Sequence, residues 1–348
     1  MNKPLLFLLA LLCATGIPTN AERKFIAHRG VDLKHTIAGE NSLEAIRLAQ
    51  RAGFQAIETD VRMTSDDSLV VMHDATLNRT CLRSDGSELT EPTEIKNLSW
   101  KELQDNYVVK ADNPAYRSKI PSLRTYLREC KKAGLLPFIE PKLVDSTGNH
   151  YRDIIRIADE IYGPDNYIIT SNNRANDIIR HVVKDKDVRL MGILYQTTYD
   201  KIQDLGNCIM AISATKFKPE EYARLHQKAH SDGLLSESHA DKFQHFDMIN
   251  GSPVDYVSTD MLVPDYHGQG KVVRTGSHSD FGGLYVSFDI IGDAEVEMGS
   301  QKFKVSSPGK LKTVRHQVAL YNEAPKIDIR PSDKSTTISN LKTLQVEF

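Results

Sequence analysis

The feature that most constrains this chain is a rhythm. Between about residues 24 and 265, short apolar runs alternate with helical patterns. FIAH is strand-like. SLEAIRLAQRAG follows, with Ala45, Leu48, Ala49 and Ala52 at the i, i+3, i+4, i+7 spacing and Gly53 as terminator. QAIETDV and SLVVMHD are extended runs. SLRTYLRECKKAG is a helix with Ser122 as N-cap and Gly134 as stop. The alternation continues through LLPFIEPKL, YRDIIRIADEIYG, NYIIT, RANDIIRHVVKD, VRLMGILY, IMAISAT, PEEYARLHQKAHSDG and DYVSTDM. Such alternation calls for a parallel sheet with crossover helices. Roughly eight units fit the ~250 residues of a (β/α)8 TIM barrel. A doubly wound open sheet is the alternative, and the absence of a G-x-G-x-x-G loop after the first strand weakens its dinucleotide-binding version.

Three segments depart from the rhythm. Residues 75–119 form a long polar, turn-rich insertion directly after His73-Asp74, where it is placed to act as a lid or a site wall. Residues 266–276 read as a Gly/Ser/His-rich linker. Residues 277–348 then carry short alternating runs (YVSFDII, AEVEM, QKFKV, TVRHQVALY, PKIDIRP, LKTLQVEF), which predict a small all-β, sandwich-like module. Residues 1–21 have the layout of a secretory signal peptide: Lys3, an apolar run from Leu5 to Leu12, and small residues ending at Ala21. That run is shorter than the ~20 residues of a membrane span. Lipidation at Cys13 is the rival, with Leu12 a poor match before it. Either reading predicts an exported protein, periplasmic or secreted, with the barrel over residues 22–265. Cys81, Cys130 and Cys208 would remain, an odd number without zinc-site spacing, and read as small buried hydrophobes. A net charge of -2 gives no footprint for nucleic acid.

The chemistry-bearing residues lie where barrel strands should end. Glu58 and Asp60 are two apart on one strand and so share a face. Two carboxylates held together repel, and a divalent cation relieves that repulsion. Glu140 ends the run LLPFI. In a TIM barrel these C-terminal strand ends build the active site. An all-carboxylate set suits Mg²⁺ or Ca²⁺ rather than Zn²⁺. His28 and His73 also terminate apolar runs, and Arg29 and Lys142 bring cations to the same rim. Two histidines for proton transfer, two cations and a divalent metal together suit a phosphodiester.

The set H-R-G at His28, E-N-S at Glu40, E-T-D at Glu58, H-D at His73, I-E-P-K ending at Lys142 and T-D at Asp260 resembles the glycerophosphodiester phosphodiesterase family. The resemblance runs from His28 to about Pro264 and implies a (β/α)8 barrel. It implies that Glu58, Asp60 and Glu140 bind Ca²⁺ or Mg²⁺, that His28 and His73 act as general base and acid, and that Arg29 and Lys142 contact the phosphate. The insertion would match the family's inserted subdomain. Gly39 replaces the usual Pro before Glu40, His35 is an added candidate headgroup contact, and LLSESHADK replaces the family's usual aromatic-Thr on the seventh strand. Asn41, with Glu44 three residues on, reads as the N-cap of the first helix, and Glu40 as a residue beside or behind the substrate.

The expected activity is hydrolysis of deacylated phospholipid headgroups to a phosphomonoester such as glycerol 3-phosphate. The polar insertion favours a soluble headgroup over a lysophospholipid. The alternative from another class is a catalytically silent barrel that binds headgroups, glycan or cell envelope. No transmembrane anchor is expected, and the C-terminal module is a candidate glycan or envelope contact.

Overall fold

The computed structural model describes residues 23–30, 38–111, 114–143, 145–164, 166–171, 176–184, 186, 188–240, 242–261, 281–299, 301–321 and 326–347. The signal-peptide, Cys13, His35 and linker readings lie outside them.

Eight parallel strands form a closed ring: β1 (Lys24–Ala27), β2 (Ala56–Met63), β6 (Leu136–Pro141), β7 (Ile168–Ser171), β8 (Arg189–Ile193), β9 (Cys208–Ala211), β10 (Leu235–Ala240) and β11 (Tyr256–Thr259). β1 pairs with both β2 and β11, which closes the barrel. The outer helices are α1 (Leu43–Arg51), α3 (Leu123–Lys132), α4 (Asn149–Tyr162), α5 (Asn176–Val183), α6 (Tyr199–Gln203), α7 (Pro219–Ser231) and α8 (Phe243–Asn250). Their apolar faces pack on outward residues such as Ile57, Ile139, Ile169 and Val257 in the larger core. The lumen holds a second core of Ile26, Ala56, Phe138, Ile168, Met191, Ile209, Ala211 and Tyr256.

Side chains two apart on a strand point the same way. One step above that apolar lumen layer therefore come His28, Glu58, Glu140, Thr170, Ile193, Ser213 and Ser258, the floor of a cleft.

β3 (Leu69–Val71) runs antiparallel to the far edge of β2. The insertion then folds as a compact annex with strands β4 (Cys81–Arg83) and β5 (Tyr107–Val109), helix α2 (Trp100–Asn106) and its own core, including Met72, Leu77, Cys81, Leu103 and Ile120. Among the described residues, none of 75–119 borders the cleft, so the annex is neither lid nor wall. Its apolar residues face one another instead. The three cysteines are buried and free.

The described C-terminal residues form the expected all-β module, built as one four-stranded antiparallel sheet. β12 (Phe281–Met298) is its spine, pairing along one edge with β13 (Gln301–Tyr321) and along the other with β14 (Ile327–Pro331) and β15 (Thr337–Glu347). The expected short strands merge because Gly292 serves as a bulge, not a turn. Its φ is +107°, and a Cβ there would meet Thr336 Oγ1 at 2.5 Å. Arg315 of β13 forms an exposed ion pair with Asp247 of α8.

Candidate active site

The first strand leaves the barrel through a tight turn, His28–Gly30. Arg29 adopts a left-handed conformation (φ 53°, ψ 22°), which is uncommon for a residue with a Cβ. The turn is over-determined: the Arg29 amide donates to Glu58 Oε2 at 3.1 Å, and its carbonyl accepts from the Asn41 amide at 2.8 Å. Gly30, at φ +84°, packs so closely on α1 that a Cβ would lie 2.5 Å from that of Ala45.

Glu58, Asp60 and Glu140 converge as β2 and β6 require, with Asp60 and Glu140 directly paired across the two strands. One carboxylate oxygen from each lies within 4.8 Å of the others. Glu58 and Asp60 are buried, and Glu58 Oε1 and Asp60 Oδ1 have no hydrogen-bond partner. Burial, followed by repulsion from Asp60, pushes the Glu58 carboxyl up to about 8. Buried oxygens without partners beside like charges are the signature of a place that takes a cation, and three hard carboxylates fit a divalent one. Lys142 Nζ lies 2.6 Å from Glu140 and 3.5 Å from Asp60. The Lys142 ammonium is raised above its ordinary pKa, because Glu140 and Asp60 outweigh burial.

Both sequence-predicted histidines have the same arrangement. His28 Nδ1 lies 2.5 Å from Asp260 Oδ1, and His73 Nδ1 lies 2.7 Å from Asp74 Oδ1. A carboxylate only accepts, so each Nδ1 carries the proton and each Nε2 is left for substrate. Burial opposes charge on His28, but the Asp260 hydrogen bond and the Glu58 charge outweigh it and lift the ring to about 9. His73-Asp74 can pair because the chain leaves β3 at Val71 and bends there. Arg62 braces this corner, donating to the carbonyls of His73 (2.8 Å) and Lys142 (3.0 Å).

His28, Arg29, Glu58, His73, Glu140 and Lys142 all line one cleft of about 540 Å³ at the C-terminal ends of the strands. The floor residues Thr170, Ile193, Ser213 and Ser258 are joined in the lining by Met191, Tyr195, Gln196, Ala211 and Thr215.

Of the two positions read for Glu40, beside or behind the substrate, its surroundings match the second. It is fully buried and absent from the cleft lining. Its oxygens accept from Arg79 Nη1 and Nη2, both at 2.8 Å, and from Arg29 Nη1 at 3.3 Å. Asn41 is also not the N-cap of α1. Ser42 is, accepting from the Ala45 amide at 3.1 Å. Asn41 is buried in a left-handed conformation (φ 59°), a state asparagine tolerates. Its Nδ2 donates to Asp60 Oδ2 at 2.9 Å, and its Oδ1 accepts from Thr59 Oγ1 at 3.0 Å.

Four further residues at the site are Arg62, Arg79, Glu237 and His239. Glu237 and His239 line the cleft from β10, and His239 meets the His28 ring edge-on at 4.8 Å. Burial pushes the Glu237 carboxyl up to about 8. Their signal was present in SESHA, the same i, i+2 pattern as Glu58-x-Asp60. Asp260 stands in the T-D step read from the sequence, but its contact with His28 spans 232 positions.

Known proteins show matching architecture. The chain is 36% identical over 117 residues to glycerophosphodiester phosphodiesterase 1 of Homo sapiens, covering 34% of this chain and 33% of the relative. It is 30% identical over 138 residues to a glycerophosphodiester phosphodiesterase of Bacillus subtilis, covering 36% and 45% respectively. The matched stretch thus spans between a third and a half of these curated relatives. The glycerophosphodiester phosphodiesterase of Agrobacterium tumefaciens superposes with a TM-score of 0.55 at 19% identity, covering 69% of this chain and 97% of that one. An Oleispira antarctica phosphodiesterase, solved with the product sn-glycerol-3-phosphate, gives 0.55 at 18% identity over 68% and 92%. At these identities the solved structures establish the shared barrel fold. Residues 28–247 match the model of the glycerophosphoryl diester phosphodiesterase family, and with that span this chain belongs to the family.

Proposed function

We propose that the protein hydrolyses a glycerophosphodiester to a phosphomonoester, such as glycerol 3-phosphate, and an alcohol. The observation that carries this reading is one cleft holding three converging carboxylates, two cations and two carboxylate-held histidines.

Glu58, Asp60 and Glu140 would hold a divalent cation, Ca²⁺ or Mg²⁺, which when bound stabilises negative charge on the phosphoryl oxygens. Arg29 and Lys142 bind the phosphate. Arg29 suits this task because its Nε has no hydrogen-bond partner although it is buried. His28 and His73 carry the proton transfers. One takes the proton of the attacking water as its oxygen bonds to phosphorus. The other protonates the alcohol oxygen as its P–O bond breaks. Asp260 and Asp74 hold the rings in the tautomer this needs and stabilise each imidazolium as it forms.

Assay of the mature protein on a panel of glycerophosphodiesters tests the reading. Chelation with EDTA is expected to abolish turnover, and Mg²⁺ or Ca²⁺ to restore it. His28→Ala and Glu58→Gln are each expected to lose at least about 100-fold in kcat. Activity indifferent to chelation would sink the metal assignment, and a fully active His28→Ala the proton-transfer pair. The N-terminal layout also supports export after cleavage at Ala21; recovery of the protein with Met1 intact would sink that.

A further inference from the structure

The annex formed by residues 75–119 does not border the cleft, yet one of its side chains reaches the machinery from behind. Arg79 forks onto two carboxylates at once. Its Nη1 and Nη2 donate to Glu40 at 2.8 Å each, and its Nε and Nη2 donate to Asp74 at 2.6 and 3.0 Å. Each carboxylate holds a different residue of the cleft. Glu40 accepts from Arg29, and Asp74 accepts from His73. We propose that Arg79 is a positioning residue that sets both the phosphate-binding Arg29 and the proton-transferring His73.

The physical reason lies in Glu40. A carboxylate with no exposed surface requires positive charge beside it. With Arg79 on both its oxygens, Glu40 holds Arg29 only at 3.3 Å, and the Arg29 Nε makes no hydrogen bond, its ion-pair partner Asp60 Oδ2 lying 3.5 Å away. Without Arg79, Arg29 is the cation left on Glu40 among the described residues and is drawn onto it, away from phosphate. Meanwhile Asp74 loses the guanidinium that fixes its rotamer, and with it the orientation of His73. Lysine cannot substitute fully, because a point charge cannot fork to two carboxylates.

This inference rests on the phosphodiesterase reading, and the experiment separates the two. Binding of inorganic phosphate is measured by calorimetry, and kcat and KM on the best glycerophosphodiester, for wild type, Arg79→Met, Arg79→Lys and Arg79→Met/Glu40→Gln. Arg79→Met is expected to weaken phosphate about tenfold and to lower kcat about 10- to 100-fold. Removing the Glu40 charge in the double variant is expected to restore phosphate binding to within about threefold of wild type, leaving kcat low because His73 stays unanchored. Arg79→Lys should be intermediate in both, and thermal melting confirms that each variant is folded. A merely structural Arg79 would not give phosphate rescue by Glu40→Gln. Unchanged phosphate affinity in Arg79→Met, or no rescue in the double variant, overturns the proposal. A wild type that binds phosphate but cleaves no diester sinks the phosphodiesterase reading alone, since the binding series still decides on Arg79. A wild type that binds no phosphate overturns both.

Discussion

Asn41 directs its amide nitrogen at Asp60 and its amide oxygen at Thr59, so it fixes Asp60 Oδ2 and leaves Asp60 Oδ1 without a hydrogen bond, 3.5 Å from Lys142 Nζ. Partners behind metal ligands typically contribute 10- to 100-fold in affinity. Asn41→Gly keeps the left-handed backbone accessible while removing the amide. It is expected to weaken Mg²⁺ or Ca²⁺ binding by about that factor in a calorimetric titration; unchanged affinity would count against the role. At this scale the sequence was legible wherever a residue acts from its own strand. His28, Glu58, Asp60 and Glu140 announced themselves by ending apolar runs. Arg79 did not, because its meaning lies in Glu40, 39 positions away. The His28–Asp260 contact likewise exists only once the ring has closed. Glu40 stayed open between beside and behind the substrate for the same reason: nothing local indicates that two guanidinium groups cover it.

The start of α1 turns on which of two adjacent capping residues is extended. Ser42 is (φ -98°, ψ 165°), while Asn41 is left-handed, so only Ser42 can aim its hydroxyl at the Ala45 amide. Ser42→Ala is expected to cost about 1 kcal/mol in urea unfolding, whereas a stability equal to wild type would refute the cap. Helix positions in the barrel were readable from periodicity because each helix buries a single face, and strand positions because a strand buried on both faces is a short apolar run. The annex was not, since its strands are three residues each and its core is local. In the C-terminal sheet the strands were legible but their merging was not: a glycine that bends a long strand and a glycine that ends a short one look alike until the partner strand is present.

Across the whole molecule the barrel lumen is graded, apolar below and ionisable above, and the base of the ring carries stability rather than chemistry. His226 of the outer helix α7 is buried against β10, its Nδ1 2.8 Å from Ser236 Oγ. Burial pushes it down to about 3 from an ordinary 6.5. The unfolded chain therefore binds this proton more tightly than the folded one. The stability is complete above about pH 6.5 and is lost progressively as pH falls toward about 3. His226→Gln is expected to flatten the decline in urea midpoint between about pH 6.5 and 4.5, and an unaltered slope would exclude His226 as its source. Fold class was legible at this scale because strand–helix alternation has few closed solutions. The closure itself has a consequence for synthesis. β1 emerges from the ribosome first, but its pairing partner β11 emerges among the last residues of the barrel, more than 230 positions later in register. Until Tyr256–Asp260 arrive, His28 lacks its carboxylate and the seam between β1 and β11 stays open. A nascent chain thus lacks both the closed seam and the His28–Asp260 pair, which appear together in one late, long-range event of the kind that makes folding slow.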